Sequence, residues 1–297
     1  MHKEKIRQHL NIPSPLSSVE TSWTKEHNIS LFVKRDDLIH PLLSGNKWRK
    51  LSGILAHYDS ESYDSISTYG GAFSNHLVAT AVCGSILGIP CEGIIRGEEP
   101  KERNSVLRLC ALYGMRLTFI SREDYKKSCR TTGIQNKVLY VPEGGADVLG
   151  TVGCKDIVKE LDVTGAYRLF VPCGTGTTLA GMAQQIIESS GEAKLFGIQV
   201  LKGEDYIKSE VKELYGLDVD VYDNFHGGGY AKTNEELVDF IREFTKETGI
   251  LLDPIYTGKM MLAIKKMVLG GEIEINETIV AVHTGGLTGW FGKHTEL

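Results

Sequence analysis

The amino-acid sequence predicts an α/β fold built from mostly parallel sheets with helices on both faces. Three observations point there. Short β-branched or apolar runs alternate with longer amphipathic ones along most of the 297 residues, glycines sit repeatedly where one run gives way to the next, and no internal repeat or low-complexity linker interrupts the pattern. A hydrophobic content of 41% supports a substantial core.

The strand candidates, in order, are SLFVKRD (30–36), DSISTYG (64–70), CEGIIRG (91–97), RLTFIS (116–121), YRLFVPCG (167–174), KLFGIQV (194–200) and ETIVAVHTGG (277–286). Helix candidates lie between them at 74–87, 104–113, 151–162, 177–190, 206–215 and 257–268, and SGNKWRKL (44–51) reads as the first turn of another. The clearest helix start is the capping box Thr233-Asn-Glu-Glu236 ahead of the periodic run LVDFIREF. Gly- and Pro-bearing stretches near residues 50 and 141 suggest two domains. Residues 1–50 and 141–297 would form the larger, and residues 51–140 a smaller one inserted between them.

A formal net charge of −5 argues against a nucleic-acid partner and for a small-molecule one. The six cysteines, Cys83, Cys91, Cys110, Cys129, Cys154 and Cys173, show neither CxxC pairs nor zinc spacing, so no metal site and no disulfide scaffold is expected. Reduced thiols fit a cytoplasmic protein. The stretch MHKEKIRQHLNIPSP has no apolar signal core, and no apolar run approaches the roughly 20 residues of a membrane span. No membrane partner is expected.

Chemistry-bearing residues gather where strands run into helices, the usual place for ligands in open α/β sheets. In CGTGTTLAGM (173–182), Gly174 and Gly176 allow close approach of a ligand, while Thr175, Thr177 and Thr178 bring hydroxyls to a helix N-terminus. That loop suits a phosphate, although a structural turn would look similar. It lacks the Walker ending and the GxGxxG spacing, which weakens ATP and dinucleotide readings. In TYGGAFSNHLVATA (68–81), Ser74 and Asn75 stand at a helix start, where Ser74 reads equally well as a plain cap. His76 beside them is either a base or an inert first-turn residue. DPIYTGKMM (253–261) places Tyr256 and Thr257 at another helix start, and VHTGGLTGWFG (282–292) ends a strand in His-Thr-Gly-Gly. Each of these also has a plain structural reading: a ring filling an interface, or a turn.

One ligand would use them all. Pyridoxal phosphate needs a lysine amine for its aldehyde, N–H donors for its phosphate, a partner for its 3-hydroxyl and a polar neighbour for its ring nitrogen. Lys47 at a helix start is the amine. An ordinary lysine titrates near about 10.4, so Arg49, Lys50 and the helix dipole are expected to supply the positive field that activates it. Lys50 also has the reach to touch the phosphate.

With these motifs in order, from KRDDL (34–38) and SGNKWRKL through YGGAFSNH, VPEGGAD (141–147) and VPCGTGTT to DPIYTGK and HTGG, the chain resembles the 1-aminocyclopropane-1-carboxylate (ACC) deaminase and D-cysteine desulfhydrase family. The resemblance implies pyridoxal phosphate as cofactor, a two-domain tryptophan synthase β-subunit-like fold (fold type II) and a homodimer. It implies Lys47 as the Schiff-base lysine, Asn75 on the 3-hydroxyl and Ser74 beside the substrate carboxylate or reacting carbon. Gly174, Thr175, Gly176, Thr177 and Thr178, with Lys50, would hold the phosphate. Tyr230 in HGGGYAK (226–232) and Tyr256 match family tyrosines that would orient the substrate or protonate the leaving group.

Ring-opening members of the family typically carry Glu directly after that second tyrosine and Leu between the His and Gly-Gly of the last strand. Here the residues are Thr257 and Thr284, which is the desulfhydrase pattern, with one of the two facing the pyridine nitrogen. A carboxylate there would keep that nitrogen protonated, whereas a hydroxyl supplies no charge. The expectation is therefore α,β-elimination of an amino-acid substrate, D-cysteine, to pyruvate, hydrogen sulfide and ammonia, with ACC deamination to 2-oxobutanoate as the alternative. Trp48, Trp290 and Phe291 either shape the pocket or pack the core.

Overall fold

The computed structural model describes residues 2–43, 45–59, 61–229 and 231–292. The chain begins with α1 (His2–Arg7), β1 (Leu16–Val19), α2 (Ser22–Glu26), β2 (Ser30–Lys34) and α3 (Gly45–His57). It continues through β3 (Ser65–Gly70), α4 (Asn75–Leu87), β4 (Cys91–Arg96), α5 (Ser105–Leu112), β5 (Arg116–Ile120) and α6 (Arg122–Ser128). Next come β6 (Gly133–Gln135), β7 (Val138–Val141), α7 (Val148–Lys159), β8 (Tyr167–Cys173), α8 (Thr177–Ser189) and β9 (Ala193–Gln199). The last elements are α9 (Tyr206–Tyr215), β10 (Asp220–Tyr222), α10 (Glu235–Thr248), α11 (Thr257–Leu269) and β11 (Thr278–Val282).

The strands form two sheets, a six-stranded one in the order β1-β2-β11-β8-β9-β10 and a five-stranded one in the order β5-β4-β3-β7-β6. Only β1 on β2 and β6 on β7 pair antiparallel among the described residues. Alternation along the central strands explains why both faces of the larger sheet are covered. Phe170, Ile279 and Ala281 point into one core with Ile241, Phe244 and Ile264, while Leu169, Val171, Val280 and Val282 point into the other with Leu179, Ile207 and Val211. Around the smaller sheet, Ile66, Ile95, Leu139 and Val141 pack with Leu77, Val82, Val106 and Leu107.

Glycines let three helices nest backbone to backbone. A Cβ on Gly153 of α7 would lie 1.9 Å from the Arg49 carbonyl oxygen of α3, and one on Gly181 of α8 would lie 2.4 Å from the Thr151 oxygen of α7. This close stack carries the start of α3 toward the loop that follows β8.

Several expected boundaries move for local reasons. The first strand candidate stops at Lys34 because Asp36–Leu38 closes into a 3₁₀ turn. The last stops at Val282, before Gly285 and Gly286 take positive φ. Helix α7 starts at Val148 rather than 151, since the Asp147 carboxylate accepts the Leu149 N–H at 2.8 Å. Helix α10 is capped by Asn234, whose side chain accepts from Leu237 N at 3.0 Å, and not by Thr233 as the capping-box reading expects. The short strands β1, β6, β7 and β10 and the helices α1, α2 and α6 have no counterpart in the sequence reading.

Candidate active site

Four strand ends converge with the start of α3: β3 leads into Gly71–Ser74, β7 into Pro142–Ala146, β8 into Gly174–Gly176 and β11 into His283–Gly286. Gly45 makes the junction sterically feasible. Its φ is +59°, and a Cβ there would lie 1.7 Å from the Thr284 carbonyl oxygen, which accepts the Asn46 N–H at 3.2 Å. Two residues later Lys47 projects between two cavities and lines both.

Burial, and then the ammonium of Lys50, lowers the Lys47 pKa from 10.5 to about 7. Lys50 is itself buried, and its Nζ donates to the Gly144 carbonyl and to Thr175 Oγ1, both at 3.1 Å. Arg49 plays no such part, which corrects the expectation that it adds to the field at Lys47. Its guanidinium is bound on the other side of α3 by Asp36, through Nε at 3.0 Å and Nη2 at 2.8 Å, and by Glu160 at 2.6 and 2.7 Å. Lys34 joins the same buried network through Glu160 at 2.8 Å. Successive residues of a helix point about 100° apart, so the neighbours Arg49 and Lys50 face different surroundings.

The loop after β8 forms the smaller cavity, about 30 Å³, lined by Asn46, Lys47, Lys50, Gly174–Gly176, Thr178 and Tyr256 among others. Gly176 is the N-cap of α8 in a left-handed conformation and provides no side-chain cap, so the first N–H groups of this 13-residue helix point out unclaimed by a capping side chain. A Cβ on Gly176 would lie 2.5 Å from Val211 Cγ2, and one on Gly174 would lie 3.1 Å from the Tyr256 ring. Hydroxyls line up beside the cavity: Thr175 Oγ1 to Thr177 Oγ1 at 3.2 Å, and Thr177 Oγ1 to Tyr215 OH at 2.9 Å. The Asn46 amide donates to Thr178 Oγ1 at 3.4 Å.

On the other side of Lys47, Asn75 links α4 to the end of β11. Its Nδ2 donates to the Gly286 carbonyl at 3.2 Å, and the Thr288 hydroxyl donates to its Oδ1. Ser74 caps α4, accepting from Leu77 N at 3.4 Å. His76 is buried and points the opposite way from solvent. The Thr68 hydroxyl donates to the Val141 carbonyl at 2.9 Å and so accepts from His76 Nε2 at 2.8 Å, which leaves Nδ1 as a lone-pair acceptor with no partner among the described residues. Burial and the two lysines push its pKa well below the usual histidine value, so the ring is neutral.

Tyr256 precedes α11 and presents its ring to Gly174. Thr257 is buried with its hydroxyl donating to Asp253 Oδ1 and accepting from Asp253 N, both at 2.8 Å. The same carboxylate accepts the N–H groups of Ile255, Tyr256 and Thr257 at 2.8 to 2.9 Å. Thr284 is buried above Gly45, and its hydroxyl makes no hydrogen bond among the described residues. Tyr230 lies outside the described residues, and of Phe291 only the backbone is described. Trp48 is buried in the core, whereas Trp290 lines the larger cavity. Sequence reading missed Asp253, Thr288, the Gly144 carbonyl and the apolar wall around Trp290. Of these only Asp253 had a local signal, an Asp-Pro pair just ahead of a helix.

The set fits pyridoxal phosphate: an amine poised near neutrality, an uncapped helix terminus with a lysine beside it, and an asparagine amide at the strand end. A family model described as pyridoxal-phosphate dependent enzyme matches residues 9–285. The chain belongs to this family. It is 30% identical to a putative 1-aminocyclopropane-1-carboxylate deaminase of Thermotoga maritima over 96% of this chain and 97% of that one. It is likewise 30% identical to a mitochondrial bifunctional D-cysteine desulfhydrase/1-aminocyclopropane-1-carboxylate deaminase of Arabidopsis thaliana over 89% and 74%. A D-cysteine desulfhydrase of Klebsiella pneumoniae is 26% identical over 90% of each chain. Among solved structures, an ACC deaminase homologue superposes with a TM-score of 0.79 at 26% identity, covering 98% of this chain and 96% of the other.

As a member of this pyridoxal-phosphate dependent family the protein has the tryptophan synthase β-like architecture of fold type II and uses pyridoxal phosphate. Lys47, Lys50 and the loop ahead of α8 line one cavity, with Lys50 Nζ on Thr175 Oγ1. Among the described residues no helix is long and apolar enough to cross a membrane, no three His, Cys, Asp or Glu side chains group as a metal site, and all six cysteines are free thiols.

Proposed function

We propose that the protein is a pyridoxal-phosphate-dependent carbon–sulfur lyase that converts D-cysteine to pyruvate, hydrogen sulfide and ammonia. The observation that carries the reading is at position 257. The residue after Tyr256 is a threonine whose hydroxyl is committed to Asp253, so this position brings no carboxylate of its own to the site. Thr284 replaces the leucine of ring-opening relatives in the same sense. ACC has no α-hydrogen and requires a more demanding ring opening, whereas D-cysteine needs only proton removal at the α-carbon and departure of sulfur from the β-carbon.

Bound in this site, the cofactor supplies an aldehyde for amines and a ring that withdraws electrons from the α-carbon. The protein does the rest. Lys47, with its amine near half-neutral at pH 7, is the base that takes the α-proton. Lys50 keeps that amine from binding a proton too tightly and, with the α8 terminus, holds the phosphate. Ser74 stands by for the substrate carboxylate, Asn75 for the 3-hydroxyl, and Tyr256 with Tyr230 for orienting the substrate or returning a proton to sulfur. Residues 51–140 act as a smaller domain carrying Ser74 and Asn75, whose movement against the larger one closes the site. A cytoplasmic homodimer completes the proposal.

Assaying the purified protein with D-cysteine and with ACC tests this directly. Pyruvate and sulfide from D-cysteine, with little 2-oxobutanoate from ACC, is the expected result; comparable efficiency on ACC overturns it. The ACC reading draws on the Thermotoga maritima relative, whose length this chain covers almost fully. Lys47→Ala should abolish both the visible absorbance of the cofactor-loaded protein and keto-acid formation.

A further inference from the structure

The larger of the two cavities at Lys47 has a volume of about 450 Å³. The sulfhydryl of cysteine occupies a space comparable to one water molecule, about 30 Å³. Much of the chamber would remain after the cofactor ring takes its share. Its walls are Pro41, Leu42, Val78, Leu251, Leu287 and Trp290, brought together from four separate segments. Trp290 donates its indole N–H to the Leu252 carbonyl at 3.0 Å, so its polar atom is committed and the ring faces the chamber as hydrocarbon. The polar lining is equally committed, Asn75 to Gly286 and Thr288 to Asn75. No Asp, Glu or Arg is among the lining residues, and the one charged group is Lys47. Leu251 and Leu287 remain 41% and 38% exposed, leaving apolar surface open beside a catalytic amine.

We propose that the site is built for amino acids whose β-carbon bears an apolar thioether, S-alkyl or S-aryl D-cysteines, with the apolar group in this chamber. The inference rests on the lyase reading above and names its substrate class. The reaction balances without a further co-reactant beyond water. The α-proton is removed, the Cβ–S bond breaks with its electron pair going to sulfur, and sulfur takes a proton to leave as the free thiol RSH. The remaining three-carbon enamine takes up water to give pyruvate and ammonium.

The experiment compares S-benzyl-D-cysteine with D-cysteine on the holoenzyme, by kcat/KM for pyruvate release and separately by quenching of tryptophan fluorescence. An apolar group entering such a wall is worth roughly 10- to 200-fold in discrimination. At least a tenfold preference for the benzyl substrate is expected in both readouts. A Trp290→Phe variant should lose the quench. Leu287→Glu, at an exposed position that tolerates charge in the fold, should cut the preference ratio at least tenfold. If D-cysteine yields pyruvate and the benzyl compound neither binds nor reacts better, the chamber inference is overturned and the lyase reading stands. If neither compound yields pyruvate but the benzyl compound still binds at least tenfold tighter, the lyase reading fails and the chamber assignment holds. If neither yields pyruvate and neither is preferred in binding, both are overturned.

Discussion

The pKa of Lys47 makes a quantitative prediction. An ordinary lysine at 10.5 is neutral in only about one molecule in 3,000 at pH 7, while Lys47 at about 7 is neutral in about half, a gain in reactive amine of more than a thousandfold. Burial is the larger cause and the Lys50 ammonium the next, so removing the latter has a definite sign. Replacing Lys50 with Gln raises the Lys47 pKa toward 10.5. Only the neutral amine attacks the cofactor's aldehyde, so the rate at which apoprotein captures pyridoxal phosphate should rise with pH through about 7 and then level off. In the variant the midpoint moves to higher pH. Stopped-flow absorbance across a pH series measures both midpoints, and the cofactor's own ionisations, common to both proteins, drop out of the difference. The same displacement costs the folded apoprotein about 5 kcal/mol. Because the folded state binds fewer protons than the unfolded one between pH 7 and 10.5, its stability should climb with pH across that window. A wild-type midpoint above 9, or a variant midpoint at lower pH than wild type, would refute the reasoning.

Three further outcomes follow from named contacts. Gly45→Ala puts a methyl 1.7 Å from the Thr284 oxygen at a φ of +59°, so it should lower Tm by more than about 5 °C and abolish cofactor absorbance; a variant that melts and loads like wild type contradicts the placement of α3. Arg49→Met removes the guanidinium that bridges the buried Asp36 and Glu160 carboxylates, leaving Glu160 to Lys34 and Asp36 to the Ser14 hydroxyl, and should cost about 3–5 kcal/mol in urea unfolding at pH 7. In the wild type, burial opposes and Arg49 and Lys34 together overcome it to hold Glu160 at about 2 instead of 4.5. The stability this provides is complete above pH 4.5 and is lost as pH falls toward 2, and a pH series should show that acid-dependent loss shrinking in Arg49→Met. Thr257→Val removes a hydroxyl that both donates to and accepts from Asp253, with an expected loss of about 1–3 kcal/mol by chemical denaturation; no loss would mean the hydroxyl serves elsewhere.

Much of this protein was legible locally. Alternating strand and helix signals, glycines at the turns and ordered motifs around Lys47, Ser74–Asn75, Gly174–Thr178 and Tyr256 are properties of a few adjacent residues. They pointed to the parallel architecture and singled out Lys47 and the loop after β8, which the fold brings to one cavity. Strands of three or four residues such as β6 and β10 escaped notice because they are too short for a period to register. The assignments that went astray concern direction rather than identity. Arg49 and Lys50 are adjacent in the chain, yet one is drawn to Asp36 and Glu160 and the other to Thr175 and Gly144.

What only the tertiary structure decided is what each side chain meets. The separate partners that claim Arg49 and Lys50, the lone Nδ1 of His76 and the apolar wall joining Leu42, Val78, Leu251 and Trp290 depend on residues far apart in sequence being brought within a few ångströms. Hydrophobic period and backbone conformation act over neighbouring residues and are therefore written along the chain. Electrostatic environment and cavity shape arise from long-range packing, and they become defined only when the chain has folded.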